Sequence, residues 1–243
     1  MARKPFNWSQ LDRFTLYGML YGAGREIIGK KIPVKDIQRY ISSYIKPILP
    51  IKVVRKQNDY TQKQGLVYIG GTYYSDFDKN NHQRYIEIVL SYHPLDTVIK
   101  MTEYRWARLC TLFADTILHE IVHMRQYRSR NFKTIPGYES TAYYRKQRVD
   151  QEYYGDKDEM GAFSFNIACD MVDRFGLDKN TIQKYMDSMQ AKRHKKTSYN
   201  RYLAAFDWNH DHKIVRQMKK KIIRNLDYAY IGKPFKTTDY LTY

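Results

Sequence analysis

The residues best suited to chemistry lie in one segment, Thr116-Ile117-Leu118-His119-Glu120-Ile121-Val122-His123-Met124-Arg125-Gln126. On a helix, residues four apart stand on one face about a turn from each other. Two imidazoles at that spacing bind a single Zn2+ together, since neutral imidazole nitrogen is a good zinc ligand. Glu120 follows the first histidine directly and can reach a water at that metal and take its proton. Ile117, Leu118, Ile121, Val122 and Met124 make the helix apolar around the motif, so it is expected to be buried. Two histidines and a glutamate in such a place need partners or a purpose, because burying polar groups without either is costly.

A zinc site needs a third protein ligand. No histidine stands between His123 and His194, so a histidine a short distance downstream is excluded. The best candidate is Glu159, 36 positions after His123 and at the opening of an apolar helix from Met160 to Phe175. An acidic residue in the first turn also suits the helix dipole, which is its ordinary structural explanation. Asp156 and Asp158 are the reserves. Hydrolysis at such a metal centre would further call for a donor to the developing oxyanion. Tyr154, with Tyr153 beside it, precedes Glu159 closely and is the candidate; His194, His210 and His212 are alternatives distant in sequence. The run Asp207-Trp208-Asn209-His210-Asp211-His212 has metal-ligating residue types but reads more simply as a polar loop between helices.

The elements that must position these residues follow from periodicity. Trp8 to about Gly29 has helical apolar spacing, with Ser9 as N-cap and Gly18, Gly22 and Gly24 weakening it. Its apolar stripe suits a core or an oligomer contact. Pro33 opens a second helix to about Ile45, ahead of Pro47 and Pro50. The period then changes to that of strands at Ile51–Arg55, Gly65–Gly70 and Tyr85–Leu90, with Ser75 to Gln83 as a connecting turn. A long helix is expected over Glu103 to Arg128. Asn131 to Asp156 reads as irregular, Asp158 to Phe175 as a helix stopped by Gly176, Asn180 as the cap of a short helix, and Lys213 to Leu226 as a final basic helix. Helices, then a small sheet, then helices give an α+β class. The strands are close in sequence, so the sheet is expected to be mainly antiparallel or mixed. The expected organisation is a helical segment 1–50, a catalytic core 51–178 and a basic helical extension 179–243, forming one compact domain.

His119-Glu120-x-x-His123 followed by a helix beginning Glu159-x-x-Ala162 resembles the gluzincin branch of zinc metallopeptidases. The small sheet ahead of the motif helix is similar to the zincin layout. The resemblance covers about Tyr85 to Phe175 and implies a zincin-like sheet, an active-site helix and a second, ligand-bearing helix. It implies zinc on His119, His123 and Glu159, Glu120 as general base, and a protein or peptide substrate. Arg125 departs from the pattern, which usually has an apolar residue there. The SprT-like group is a more distant relative: its action on proteins at DNA would suit the basic charge, but it calls for the nearby downstream histidine this chain lacks.

Lys and Arg number 42 against 25 Asp and Glu, a formal charge of +17. Such a surface attracts nucleic acid, a membrane surface or an acidic protein partner, or simply keeps the chain soluble. The clusters Lys192-Arg193-His194-Lys195-Lys196 and Lys219-Lys220-Lys221 are the candidate nucleic-acid contacts. Cys110 and Cys169 sit in apolar surroundings and suit free thiols in a reducing, cytoplasmic compartment. Neither a signal-peptide pattern nor a run of about 20 apolar residues is present, so no membrane span is expected. Abundant Lys, Tyr, Ile and Asn are what an AT-rich genome produces, as in a bacteriophage or other virus, where host cytoplasm or virion would be the location. Two functions from different classes fit: a zinc peptidase, or a non-catalytic component of a virus particle or nucleic-acid complex built on the same fold. Glu120 favours the enzyme, since a purely structural zinc has no use for a base.

Overall fold

The computed structural model describes residues 11–45, 49–57, 67–80, 85–95, 97–188 and 197–229. The class is α+β, and the chain divides into two compact units, Met1–Phe132 and Lys133–Tyr243. The boundary falls inside the span 51–178. No helix among the described residues is long and apolar enough to cross a membrane.

The first unit begins with α1 (Arg13–Ala23), a 3-10 turn (Gly24–Glu26), β1 (Lys31–Pro33) and α2 (Val34–Ile45). The cap of α1 is Asp12, whose carboxylate accepts from Thr15 N at 2.7 Å, rather than Ser9, which lies outside the described residues. Leu16, Tyr17, Leu20 and Ala23 make the stripe of α1 part of the core, whereas Phe14 is exposed. In α2, Val34, Ile37, Ile41 and Ile45 are buried at helical spacing.

Three strands follow: β2 (Ile51–Gln57), β3 (Tyr68–Tyr73) and β4 (Ile86–Tyr92). Between the last two, α3 (Ser75–Lys79) stands where a plain turn is expected from the polar sequence. The sheet order is β2-β4-β3, so β3 is an edge. β4 is antiparallel to β3, with Gly71 opposite Ile88, but parallel to β2, with Val53 opposite Ile88. The sheet is therefore mixed. β4 inserts between its two predecessors, a pairing that local sequence cannot specify. A second, two-stranded sheet pairs β1 with β5 (Val98–Lys100), two three-residue strands too short to leave a periodic signal.

α4 (Glu103–Ser129) runs for 27 residues and is capped by Thr102, whose hydroxyl accepts from Arg105 N. Trp106, Cys110, Phe113, Ala114, Ile117 and Ile121 are buried along it, and it packs on α1, β3 and β4. Two ion pairs pin it. Arg13, buried in α1, reaches Asp115 with both Nε and a terminal nitrogen, at 2.5 and 3.0 Å. Arg128 reaches both oxygens of the buried Asp78 at 2.6 and 2.7 Å, and Tyr73 Oη donates to Asp78 as well. That bidentate geometry is the strongest form of the Arg–carboxylate contact. It ties the C-terminal turn of α4 to the segment after β3.

The second unit contains α5 (Arg145–Gly155), α6 (Lys157–Phe175), α7 (Lys179–Asp187), α8 (Ser198–Ala205) and α9 (Lys213–Ala229). α5 corrects the expectation of an irregular stretch over 131–156. Of its residues only Gln151 and Gly155 are buried, so it lacks the apolar stripe that marks a helix in sequence. α7 is capped by Asp178, not Asn180: the Asp178 carboxylate accepts from the backbone N–H groups of Asn180 and Thr181. α6 packs on α9 through their apolar faces, and Asn225 Nδ2 donates to the buried Ser164 Oγ at 2.9 Å. Gly176 ends α6 at φ +66°, a left-handed conformation that a residue with a side chain adopts at a cost.

Candidate metal centre

The α4 helix sets the first two donors. His119 and His123 are half-buried, with Leu118, Glu120, Ile121 and Met124 buried around them. Their rings meet edge to face, centroids 4.8 Å apart, and the two Nε2 atoms approach to 3.1 Å. Two nitrogens bound to a tetrahedral Zn2+ at 2.0–2.1 Å stand about 3.3 Å apart. The pair thus has the spacing that one ion requires. Burial lowers the pKa of His119 to about 3, and His123 beside it adds to the effect. The imidazole is therefore neutral near pH 7, the form in which histidine ligates metal.

Glu159 occupies the first turn of α6. Asp156 caps that helix, accepting from Asp158 N at 2.7 Å and Glu159 N at 3.3 Å, so the side chain of Asp156 is committed to the backbone. Burial raises the pKa of Glu159 to about 7; a hydrogen bond with Tyr153 works against that rise, and the charges of Asp156 and Asp158 add to it. A carboxyl so perturbed is one that a nearby cation would return to its ionised form. His119, His123 and Glu159 each offer one ligand atom, and these atoms all lie within 4.8 Å of one another. Among the described residues they form a group able to hold a metal ion. Two nitrogens and one oxygen are a donor set suited to zinc with a fourth position open.

Glu120 is 5% exposed, and β3 determines what surrounds it. A methyl group built on Gly71 would meet Glu120 Oε1 at 2.5 Å and Thr116 Cγ2 at 2.7 Å. The edge strand thus lies directly against the α4 face that carries Glu120, and only glycine leaves room for the carboxylate. Sequence reading missed Gly71. The signal it left is the pair Gly70-Gly71 inside a strand pattern, which marks close approach of another element.

Tyr154 packs in an aromatic cluster with Tyr153, Phe163 and Tyr202, centroids 5.2–5.5 Å away, and its backbone oxygen accepts from Tyr202 Oη. Burial raises its pKa. Of the two neighbouring tyrosines, Tyr153 is the one hydrogen-bonded to Glu159. His210 and His212 lie in the loop between α8 and α9. His212 Nδ1 accepts from Ile214 N and its ring rests against Phe206, while burial lowers the pKa of both histidines. Neither joins a group of three metal-ligating residues among the described residues. Lys219 is paired with Asp187 at 2.6 Å, Lys220 is exposed and Lys221 half-exposed; Lys192, Arg193, His194, Lys195 and Lys196 lie outside the described residues. Cys110 and Cys169 are free and buried. No family model, curated protein or solved structure matches the chain.

Proposed function

We propose that this chain is a zinc-dependent peptidase of gluzincin type, with zinc on His119, His123 and Glu159 and Glu120 as general base. The observation that carries the reading is the grouping of those three ligand atoms within 4.8 Å, with a buried glutamate next in sequence to the first histidine. When bound, zinc supplies Lewis-acid chemistry, polarising a carbonyl and bringing the acidity of water towards neutrality. The residues of the chain do the rest. His119 and His123 offer neutral nitrogen. Glu120, enclosed by α4 and the backbone of β3, holds a carboxylate in a site with little water, takes a proton from the attacking water and delivers it to the leaving amine. Tyr153 and Tyr154, shortly before Glu159 in the chain, are the candidates for the oxyanion donor. The two free, buried thiols suit a reducing, cytoplasmic compartment.

The test is Glu120→Gln. The amide is close to isosteric and cannot accept the proton, so zinc content and fold persist while cleavage of a broad peptide library falls by about 10²–10⁴. Equal rates in parent and variant would refute the role of Glu120. Zinc bound by both proteins with no cleavage by either would favour the second class of function, a non-catalytic building block.

A further inference from the structure

One exposed patch combines aromatic rings with cations. It comprises Tyr143, Tyr144, Arg145, Lys146, Arg148 and Val149, where the loop after Phe132 turns into α5. Tyr143 is 88% exposed, the highest value among the large hydrophobic side chains described as exposed, and Tyr144 is 70% exposed. Arg145, Lys146 and Arg148 are exposed beside them. The presentation is ordered. Arg148 donates through Nε and a terminal nitrogen to Ala142 O at 3.2 Å, and Ser140 Oγ bridges Gln151 and Ala142 N. The loop is thereby held against α5. The two tyrosine rings meet edge to face at 5.3 Å and 87°, an arrangement that leaves ring faces open.

Helix stability does not account for this composition. α5 has no acidic residue in its first turn and no side-chain cap, and three cations near that end run against the helix dipole. Packing does not account for the rings either, since they are among the least covered of the described residues. We infer that this patch binds single-stranded nucleic acid, with the Tyr143 and Tyr144 rings stacking on unpaired bases and Arg145 and Lys146 neutralising neighbouring phosphates. A stacked duplex hides its base faces from such rings. An acidic peptide would engage the cations and leave the rings idle. A single strand offers both π-faces and closely spaced phosphates. The inference does not depend on zinc or on catalysis.

The experiment uses the full chain and a fluorescein-labelled oligothymidylate of about 20 nucleotides, long enough for several stacking sites, with binding read by anisotropy over a series of salt concentrations. Two comparisons accompany it: a duplex of the same length and a polyglutamate competitor. The double variant Tyr143→Ala/Tyr144→Ala is expected to weaken binding at least about tenfold, the scale of one lost stack. Arg145→Gln/Lys146→Gln is expected to reduce the dependence of log affinity on log salt by about 1.4, two phosphates at about 0.7 each. Both pairs are exposed, and circular dichroism checks that the fold is retained. The proposal is overturned if the parent fails to bind at low salt or if the tyrosine variant binds like the parent. It is equally overturned if the duplex binds as tightly as the single strand. Displacement of the oligonucleotide by polyglutamate at equal charge concentration would overturn it in favour of an acidic protein partner.

Discussion

α4 and α6 carry the donors of the proposed zinc site in opposite ways. α4 offers two imidazoles from the interior of a 27-residue helix, where every backbone group is already paired and only side-chain packing sets their direction. α6 offers one carboxyl from its first turn, where the helix dipole favours a negative charge and burial opposes it. Burial drives both towards neutrality, lowering His119 to about 3 and raising Glu159 to about 7. For histidine the neutral form is the ligand; for glutamate it is not. In the proposed zinc site, the same physical cause would prepare one donor for the ion and leave the other to be ionised by it. The α4 pair should carry most of the affinity, and the α6 carboxyl should determine how that affinity varies with pH.

That asymmetry is tested first by removing each donor in turn. His119→Ala or His123→Ala is expected to weaken zinc binding by more than about 100-fold, beyond the range lost when only a supporting residue is removed. Glu159→Ala should weaken it less, by roughly tenfold, because two preset nitrogens remain. Calorimetric titration with zinc measures all three. Equal losses would break the proposed division of labour, and stoichiometric zinc retained by both histidine variants would remove the site altogether. A smaller effect is expected from Gly71→Ala. The added methyl would crowd Glu120 Oε1 at 2.5 Å without touching a ligand, so zinc affinity should hold while cleavage falls by roughly tenfold to a hundredfold. Overpacking of this kind also costs about 1–3 kcal/mol of stability, read from urea unfolding. A loss of zinc in Gly71→Ala with the rate per bound zinc intact would show that β3 supports the ligands instead of the base.

What was legible in the sequence follows from how local each feature is. The α4 motif was readable because residues four apart on a helix share a face whatever else the chain does. Glu159 was readable because an acidic residue opening an apolar helix marks its own position, with Asp156 supplying the cap. Gly71 was not, since its importance lies in a contact with Thr116 and Glu120, some 45 to 49 positions away. The parallel pairing of β2 with β4 was hidden for the same reason. α5 escaped because its face is polar and aromatic rather than striped, and β1 and β5 because three residues hold no period. The caps were misplaced by two or three residues, at Asp12 for Ser9 and Asp178 for Asn180. Several Ser, Asn and Asp residues compete at each end, and only the hydrogen bond decides among them.

The smallest expected effect separates the two helices by sign. In the metal-free protein His119 has a folded pKa of about 3 against an ordinary 6.5. The unfolded chain therefore binds the extra proton between those values, and the His119 contribution to stability is full above pH 6.5 and is lost as pH falls. Glu159 has a folded pKa of about 7 against an ordinary 4.5, so the folded chain holds the extra proton. Its contribution is full below pH 4.5 and is lost as pH rises through 7. Between pH 4.5 and 6.5 the two slopes oppose and partly cancel. Removing one should expose the other. Glu159→Gln without metal should gain stability from about pH 5 to pH 7 relative to the parent's trend, and His119→Asn should lose it. Each change is on the order of 1 kcal/mol once solvent screening of half-buried groups is allowed for. Urea midpoints of the two variants at both pH values measure it. Saturating zinc should remove the Glu159 contribution, because a ligating carboxylate is ionised throughout that range. If the two variants shift the pH trend in the same direction, burial is not what sets the charge of these groups, and the contrast between α4 and α6 fails at its physical root.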